Sequence, residues 1–375
     1  MKRILVFGMT ENPGGVESFI INYYRHIDRN RIQFDFLCNT FQEVAYENEL
    51  KQLGANVYHI ISRRQNRQKF RAQLTDLFKV HAKEWDAVWV NVCSLANIDY
   101  LKTAKRYGVK QRIIHSHNSR NMEGLIRRIL HEWNKLSLRS YATDYWACSE
   151  EAADWFYKGA ARKQTVIIPN AIDVKQYKHD PDRRKEIRYK LGLTDCFVIG
   201  NIGRLHFQKN QSFLIDVFAE YRKRRKDAFL LLVGGGEDEA MLKSKADEKG
   251  LSPVIYFAGV QHNITDYLDC FDLVLFPSRF EGLSIAALEA QANGLPVLLS
   301  DRCSQDTVVN GNVSRLALDV GTDVWCEEID SLRRQGRDSI TVIEKRFREK
   351  GFDLENEIHR LERLLSNEKA AVPDR

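Results

Sequence analysis

The chain has 375 residues, of which 43% are hydrophobic and 29% are charged. This hydrophobic content excludes a disordered chain, and the length is too great for one ordinary core, so two domains are expected. The charge is uneven, because residues 1–170 carry a net charge of +9 and residues 171–375 carry −3. A basic first half indicates an anionic partner, such as nucleic acid, a phosphate-bearing substrate or a membrane surface.

The seven cysteines are scattered and form no Cys-x-x-Cys pair, which favours reduced thiols over a disulfide framework or a zinc ribbon. The apolar run near the N-terminus is about four residues long, shorter than the ~7–15 residues of a signal peptide core. No apolar run approaches the ~18 residues of a transmembrane helix. We therefore expect a cytoplasmic protein.

Short, continuous apolar runs alternate with helix-length amphipathic stretches. Such runs predict strands buried on both faces, and the alternation predicts parallel β-α-β units. The first half has seven runs, at 4–7, 34–38, 57–61, 87–92, 112–115, 145–148 and 166–168. The second half has five, at 197–202, 229–233, 254–257, 273–276 and 297–299. The pattern predicts two doubly wound α/β domains, at 1–170 and 171–365, and a frayed polar tail at 366–375.

Ligands of such domains bind beyond the carboxyl ends of the strands, and the first strand leads into Gly14-Gly15-Val16-Glu17. Paired glycines let backbone N–H groups approach a ligand at a helix start, although a plain turn would have the same sequence. The fifth strand ends in His115-Ser116-His117. These imidazoles can form hydrogen bonds with a sugar hydroxyl, or they can be structural. A metal site is not indicated, because no Cys, Asp or Glu lies nearby at the spacing of metal ligands.

The first strand of the second domain leads into a loop that contains Arg204 and, five residues later, Lys209. This pair suits a pyrophosphate, although two solvated cations are the ordinary alternative. A later loop contains Glu281, and Ser284 follows it. We expect Ser284 to cap the helix at 285–293, and we expect the backbone N–H groups at the start of that helix to point at a phosphate. Glu289 follows in that helix, where a carboxylate can accept bonds from the vicinal hydroxyls of a ribose.

These features together resemble the retaining glycosyltransferases of the GT-B fold, family 4, and within it the bacterial capsule and exopolysaccharide transferases. The resemblance covers nearly the whole chain and is most specific at 276–299, where seven residues separate Glu281 from Glu289. It implies two Rossmann-like domains facing across a cleft, with an acceptor on the first domain and a nucleotide-sugar donor, UDP-linked, on the second.

The resemblance also implies roles for individual residues. The donor diphosphate would be bound by Gly15, Arg204, Lys209, Gly282, Leu283 and Ser284. Glu289 would bind the ribose, Val260 would flank the base, and Glu281 would bind the transferred sugar. His117 matches the family's catalytic-region histidine better than His115 does, and His115 and Glu17 would lie on the acceptor side.

Transfer in this family needs no metal and no cofactor. The Asp180-Pro181-Asp182 sequence, which could suggest a metal site, stands before a helical pattern and predicts an N-terminal cap instead. The developing charge on the leaving diphosphate would be stabilised by Arg204, Lys209 and a helix start.

The acceptor is expected to be a saccharide linked to a lipid diphosphate, which requires a membrane. A predicted helix has an apolar stripe at Leu125, Ile129, Trp133 and Leu136 and a basic stripe that includes Arg127, with Arg128 beside it, and Lys135. This pattern favours a seat on the anionic inner face of the cell membrane; an ordinary helix packed on the core, with its basic face solvated, is the alternative.

Other functions remain open at this point. One alternative is another GT-B enzyme, such as a nucleotide-sugar epimerase or a phosphorylase, and another is a non-enzymatic protein that binds anionic surfaces. The acidic second half and the lack of basic residues interleaved with aromatic ones argue against nucleic-acid binding. The absence of Gly-x-Gly-x-x-Gly argues against an NAD-dependent oxidoreductase.

Overall fold

The computed structural model describes residues 1–118, 124–261 and 263–366. The chain divides into two compact units: residues 1–171 together with the helix that begins at Leu354, and Ile172–Asp353. The predicted frayed tail at 366–375 lies, apart from Ser366, outside the described residues. Among the described residues, no helix has the length and apolar character needed to cross a bilayer.

The first unit is built on a seven-stranded parallel sheet in the order β3-β2-β1-β4-β5-β6-β7. All seven strands coincide with predicted apolar runs: β1 (Lys2–Phe7), β2 (Ile32–Cys38), β3 (Val57–His59), β4 (Ala87–Val92), β5 (Gln111–Ser116), β6 (Asp144–Ala147) and β7 (Val166–Ile167). The order reverses between β1 and β4, so the loops after these two strands flank a crevice at the carboxyl edge of the sheet.

Helices cover both faces of this sheet, because its strands are apolar on both sides. They are α1 (Gly15–His26), α2 (Glu47–Gln52), α3 (Arg67–His81), α4 (Asp99–Arg106), α5 (Leu125–Ser137), α6 (Glu150–Phe156) and α7 (Gly159–Lys163). Two buried clusters result, one on each face, and aromatic side chains such as Phe34, Phe70 and Trp89 fill them.

The second unit has a six-stranded parallel sheet in the order β10-β9-β8-β11-β12-β13. Its strands are β8 (Phe197–Ile202), β9 (Ala228–Val233), β10 (Ile255–Phe257), β11 (Leu273–Phe276), β12 (Val297–Ser300) and β13 (Val313–Leu316). The first five were predicted. The sequence analysis missed β13, an edge strand whose Val-Ser-Arg-Leu sequence is only half-buried and lacks a continuous apolar run. The switch point lies between β8 and β11.

The remaining helices are α8 (Pro181–Leu191), α9 (Gln211–Arg224), α10 (Glu239–Glu248), α11 (Ile264–Cys270), α12 (Ile285–Ala292), α13 (Thr322–Gln335), α14 (Ile340–Lys350) and α15 (Leu354–Ser366). Asp180 caps α8, because its side chain accepts hydrogen bonds from the N–H groups of Asp182 and Arg183. The predicted capping role of the Asp-Pro-Asp sequence is therefore confirmed.

The predicted boundary near residue 171 matches the structure, but the assignment of residues 354–365 to the second domain was wrong. Helix α15 belongs to the first unit, where Ile358, Leu361 and Leu365 join the core. Its end also bonds to that unit: the Lys2 ammonium donates to the Leu365 carbonyl at 3.2 Å. The sequence of an amphipathic helix predicts that its apolar side is buried, but it does not indicate which domain core that side packs against.

Candidate functional site

The loop after β8 places Lys209 beneath Gly203. The φ of Gly203 is +151°, a conformation that favours glycine, and the Lys209 side chain packs against this residue, 3.4 Å from where a Cβ would lie. Arg204 points elsewhere: its guanidinium bonds to the Glu237 carboxylate at 3.1 and 3.2 Å, and its side chain is 68% exposed. The two cations predicted to bind a diphosphate therefore have different carboxylate partners in this conformation.

The loop after β11 brings Glu281 to Lys209. One oxygen of the Glu281 carboxylate forms an ion pair with the Lys209 ammonium, and the other accepts a hydrogen bond from the Ser278 hydroxyl at 2.8 Å. Ser278 is wholly buried, and its carbonyl accepts a 2.5 Å bond from Ser300 at the end of β12. The residue predicted to bind phosphate and the residue predicted to bind the sugar are thus in direct contact.

Three further hydrogen bonds join the same two loops. The Arg279 N–H donates to the Gln208 carbonyl at 2.8 Å, and the Gln208 amide donates to the Phe280 carbonyl at 3.0 Å. The Asn210 amide donates to the Pro277 carbonyl at 3.1 Å. The loops after β8 and β11 therefore form one structural unit at the sheet's switch point, where a doubly wound fold binds its ligand.

Helix α12 begins directly after this unit. Ser284 stands at its N-cap position, but the expected capping bond is absent, since the Ser284 hydroxyl is buried and has no partner among the described residues. The Ser284 N–H bonds to the Thr307 hydroxyl at a long 3.5 Å, whereas the N–H groups of Gly282 and Leu283 bond to no described residue. Two N–H groups without a partner among the described residues thus lie at a positive helix start, where an anion can bind.

Glycines pack the neighbouring loops closely together. A Cβ on Gly234 would lie 2.1 Å from the Gly203 carbonyl oxygen, and one on Gly236 would lie 2.2 Å from that of Leu205. Val260, which is predicted to flank the base, packs against Gly235: a Cβ on Gly235 would lie 3.2 Å from the Val260 side chain. Val260 is 64% exposed. The position leaves an apolar surface on which a planar ring can rest.

Glu289 lies on α12 as predicted, and its carboxylate is half-buried. One oxygen accepts a hydrogen bond from the Tyr177 hydroxyl at 2.8 Å. Loss of hydration raises the pKa of Glu289 to about 7, and the bond from Tyr177 opposes this rise. A carboxylate with one oxygen held in this way can present the other to a ligand.

The two histidines after β5 lie in different surroundings. His115 is 0% exposed, and its ring fills the core between Phe19 and Trp89, so its predicted place on an acceptor surface was wrong. His117 is partly exposed, and its Nε2 donates to the Asn91 side-chain oxygen at 2.9 Å. Burial lowers its pKa to about 3, which leaves Nδ1 as a neutral acceptor.

The Gly-Gly loop begins α1, and Gly15 is its exposed first residue. Glu17, predicted on the acceptor side, folds back into this loop and accepts a 2.5 Å hydrogen bond from the Thr10 hydroxyl. A Cβ on Gly14 would lie 2.8 Å from a Glu17 carboxylate oxygen, so a larger residue there would displace the Glu17 side chain. Glu17 is 6% exposed, and burial raises its pKa. It stabilises the loop rather than presenting a carboxylate to solvent.

Helix α5 exposes its apolar side, whereas a helix packed on the core would bury that side. Its large apolar side chains face outward: Leu125 is 71% exposed, Ile129 56%, Trp133 72% and Leu136 84%. The one buried residue is His131, whose Nδ1 accepts from the Leu95 N–H at 3.0 Å. Arg127 and Arg128 are exposed as predicted.

The third predicted basic residue of α5 is not solvated. The Lys135 ammonium pairs with Glu132 at 2.7 Å, lies over the Trp155 ring, and is 6% exposed. Its inclusion in a basic surface stripe was therefore wrong. The cause is that the polar side of α5, not its apolar side, packs on the protein.

Comparison with known families accounts for most of the chain. Residues 13–176 match the model of "Glycosyltransferase Family 4", and residues 183–349 match that of "Glycosyl transferases group 1". The chain is a GT-B glycosyltransferase of family 4. The predicted GT-B fold, membership of family 4 and glycosyltransferase class are thereby confirmed, whereas retention and a capsule role stay predictions.

This glycosyltransferase is similar to proteins of known name. It is 29% identical over 365 residues to EpsF of Bacillus subtilis, which carries a provisional glycosyltransferase name; the match spans 95% of this chain and 94% of EpsF. It is 29% identical over 164 residues to the lipopolysaccharide core mannosyltransferase LpsB of Rhizobium meliloti, which is 42% of this chain and 46% of LpsB.

Solved structures share its fold. A crystal structure of Anabaena HepE in complex with UDP superimposes with a TM-score of 0.78 at 20% identity, over 98% of this chain and all of HepE. WaaG, a glycosyltransferase of lipopolysaccharide biosynthesis, gives a TM-score of 0.70 at 15% identity, over 97% of this chain and 99% of WaaG.

The sequence analysis missed four partners of the predicted site residues: Asn91 in the first unit, and Tyr177, Glu237 and Ser278 in the second. Each acts through a contact with a residue that was predicted, namely His117, Glu289, Arg204 and Glu281. Ser278 had a usable signal, since it follows a predicted strand and lies three residues before Glu281. Tyr177 had none, because 112 residues separate it from its partner.

Proposed function

We propose that this glycosyltransferase moves a sugar from a UDP-sugar to a lipid-linked saccharide, with retention of configuration and without a metal, in the synthesis of a cell-surface polysaccharide. The observation that carries the proposal is the convergence of Lys209, Glu281 and the start of α12 at the carboxyl ends of β8 and β11. A cation, a carboxylate and a helix start are what a sugar diphosphate needs.

The diphosphate leaving group gains negative charge as its bond to the sugar breaks. The Lys209 ammonium and the N–H groups of Gly282 and Leu283 stabilise that charge electrostatically. Arg204 is exposed and joins them by exchanging Glu237 for the phosphate. Lys209 must likewise loosen from Glu281, which then becomes available to accept bonds from the hydroxyls of the transferred sugar.

Retention follows when the acceptor oxygen attacks from the face that the diphosphate leaves. The sugar C1–phosphate oxygen bond breaks, the C1–acceptor oxygen bond forms, and the acceptor's proton passes to the leaving phosphate oxygen. The reaction then needs neither an enzymatic nucleophile nor a metal. In this scheme His117 acts as a neutral group, whose Nδ1 accepts a hydrogen bond from a sugar hydroxyl while Asn91 holds Nε2.

The relatives support the choice of substrates. The HepE crystal structures contain UDP and, in another crystal, UDP-glucose. LpsB and WaaG take part in lipopolysaccharide synthesis by name, so related chains act on saccharides that are carried by lipids.

The exposed apolar face of α5 supports membrane attachment. Leu125, Ile129, Trp133 and Leu136 form a continuous stripe, which is larger than isolated surface residues and typical of a helix lying in a lipid interface. Arg127 and Arg128 flank the stripe and suit anionic headgroups. The occupant we propose is the anionic inner leaflet of the cell membrane, which also carries the acceptor.

Incubation of the enzyme with a panel of nucleotide sugars and a synthetic lipid-diphosphate saccharide, with and without EDTA, tests the reaction. We expect a mass increase of one sugar with a UDP-sugar, product of retained configuration by NMR, and equal rates with EDTA. Release of free sugar and nucleotide without an acceptor would indicate an epimerase instead. Strict dependence on manganese, or an inverted product, would overturn the mechanism.

A further inference from the structure

The Tyr177 side chain is placed by contacts that do not involve a ligand. Its ring is 7% exposed, and its backbone carbonyl accepts a 2.8 Å hydrogen bond from the amide of Asn293, which directly follows α12. The same Asn293 amide donates to the Asp269 carboxylate at 2.8 Å. The wholly buried Asp269 also accepts from the His179 ring at 2.9 Å and from the Asp180 N–H at 3.2 Å. The segment that carries Tyr177 is therefore fastened to the end of the helix that carries Glu289.

This attachment directs one hydrogen bond onto Glu289. The Tyr177 hydroxyl donates to Oε1 of Glu289 at 2.8 Å, and no described residue bonds to Oε2. A hydroxyl held in this way restricts the rotation of the carboxylate and fixes the direction in which Oε2 points. The His179 ring and the Arg183 guanidinium, which lie near this segment, bond to Asp269 and not to Glu289.

We propose that Tyr177 is a positioning residue for nucleoside binding, which holds Oε1 of Glu289 so that Oε2 accepts hydrogen bonds from the ribose hydroxyls of the donor. The inference rests on the proposed function, which assigns Glu289 to the ribose. A carboxylate held on one side pays less rotational entropy on binding than a freely rotating one.

The same hydrogen bond favours the ionised form of Glu289. Burial raises the pKa of this carboxyl to about 7, and the bond from Tyr177 lowers it. A carboxylate accepts hydrogen bonds from both vicinal hydroxyls, whereas a protonated carboxyl loses acceptor capacity. Nucleotide binding should therefore weaken as the pH falls through the pKa of Glu289, and loss of Tyr177's hydroxyl should move that weakening to higher pH.

Calorimetric titration of the full chain with UDP and with 2′,3′-dideoxy-UDP, between pH 5.5 and 8.5, tests the inference. For Tyr177→Phe we expect a UDP Kd about 3- to 10-fold higher at pH 7, the worth of one hydrogen bond. In this variant, UDP binding should begin to weaken at a higher pH than in the unmodified enzyme. The Kd of dideoxy-UDP should be the same in both proteins. Tyr189→Phe, at an 82% exposed tyrosine on α8, is the matched control.

Glu289→Gln separates the inference from the proposed function. Loss of the preference for UDP over dideoxy-UDP in this variant supports the ribose assignment. If Glu289→Gln weakens UDP while Tyr177→Phe keeps the parental Kd and pH profile, the inference fails and the proposed function stands. If Glu289→Gln leaves UDP binding unchanged, both the ribose assignment and the inference fail. Thermal unfolding confirms that each variant is folded.

Discussion

Helices α5 and α12 both follow a parallel strand and are both rich in apolar residues, but they face the protein in opposite ways. In α12, Ala287, Leu288 and Ala290 are buried on the sheet. In α5, the large apolar residues face outward, and only His131 is buried. One helix begins at the site we assign to the donor, and the other presents the surface we assign to the membrane.

The difference arises from the polar groups that each helix must satisfy. The buried Gln291 of α12 donates to the Thr307 carbonyl at 2.7 Å and accepts from the Val309 N–H at 2.9 Å. One polar side chain on the buried side of α12 thus satisfies two backbone groups. In α5, His131 and Asn134 bond to the backbone N–H and carbonyl of Leu95, at 3.0 and 2.6 Å. Buried backbone groups require such partners, so the polar side of α5 packs inward.

Amphipathicity alone therefore does not say which side of a helix faces the protein. Burial lowers the pKa of His131 to about 4, so this ring stays neutral and keeps its bond from the Leu95 N–H at neutral pH. An exposed apolar side of this size is typical of a surface that binds a partner. Under the proposed function, catalysis belongs to the region around α12 and attachment to the region around α5, and the following variants test this division.

The largest effect is expected at Lys209, in the loop after β8. Lys209→Ala removes the cation that meets the leaving diphosphate, so kcat/KM should fall by at least about 100-fold, the scale of one preorganised electrostatic group. Initial rates of sugar transfer give the measurement. Lys223→Ala, which changes an exposed lysine paired with Glu220 on α9, is the matched control and should keep parental activity. Equal rates in the two variants would remove Lys209 from the reaction.

A smaller effect is expected at α5 and should concern attachment alone. Combined replacement of Ile129, Trp133 and Leu136 by serine removes the apolar stripe, and sedimentation with anionic vesicles should fall by at least ~10-fold, since partial burial of each side chain in the lipid interface contributes on the order of 0.5–1 kcal/mol. Transfer to a water-soluble acceptor should be unchanged.

Charge reversal of the same surface separates its two contributions. Arg127→Glu with Arg128→Glu should weaken binding to anionic vesicles at low salt but not to neutral ones. Reversal of Lys135 should add little to this, because that ammonium already pairs with Glu132.

Parental vesicle binding by the triple serine variant, with a change from dimer to monomer in solution, would show that the stripe binds a second copy of the chain instead.

The smallest effect is expected from Ser284→Ala, because the Ser284 hydroxyl has no hydrogen-bond partner among the described residues. The free energy of unfolding should change by less than about 0.5 kcal/mol, whereas Asp180→Ala, which removes a cap with two accepted bonds, should cost about 1 kcal/mol. Urea unfolding compares the two. A loss for Ser284→Ala as large as that for Asp180→Ala would show that this serine caps α12 after all.

Much of the fold and half of the site could be predicted from the sequence. Continuous apolar runs identified twelve strands in two sheets, because a strand buried on both faces must be apolar throughout. The position of Lys209, Glu281 and Glu289 after or near strand ends followed from the same pattern. Their partners Ser278, Glu237 and Tyr177 did not, since a hydrogen bond between distant segments has no local sequence signal.

Local patterns in the chain thus specify the type of most elements, the two-unit organisation and the chemical groups at the strand ends. Three features depend instead on contacts between distant segments: α15 returns to the first unit, His115 is buried while His117 is partly exposed, and α5 has its apolar side outward. The physical reason is that periodicity and composition act within a few turns of chain. Burial, ion pairing and pKa values depend on which distant residues the fold brings into contact.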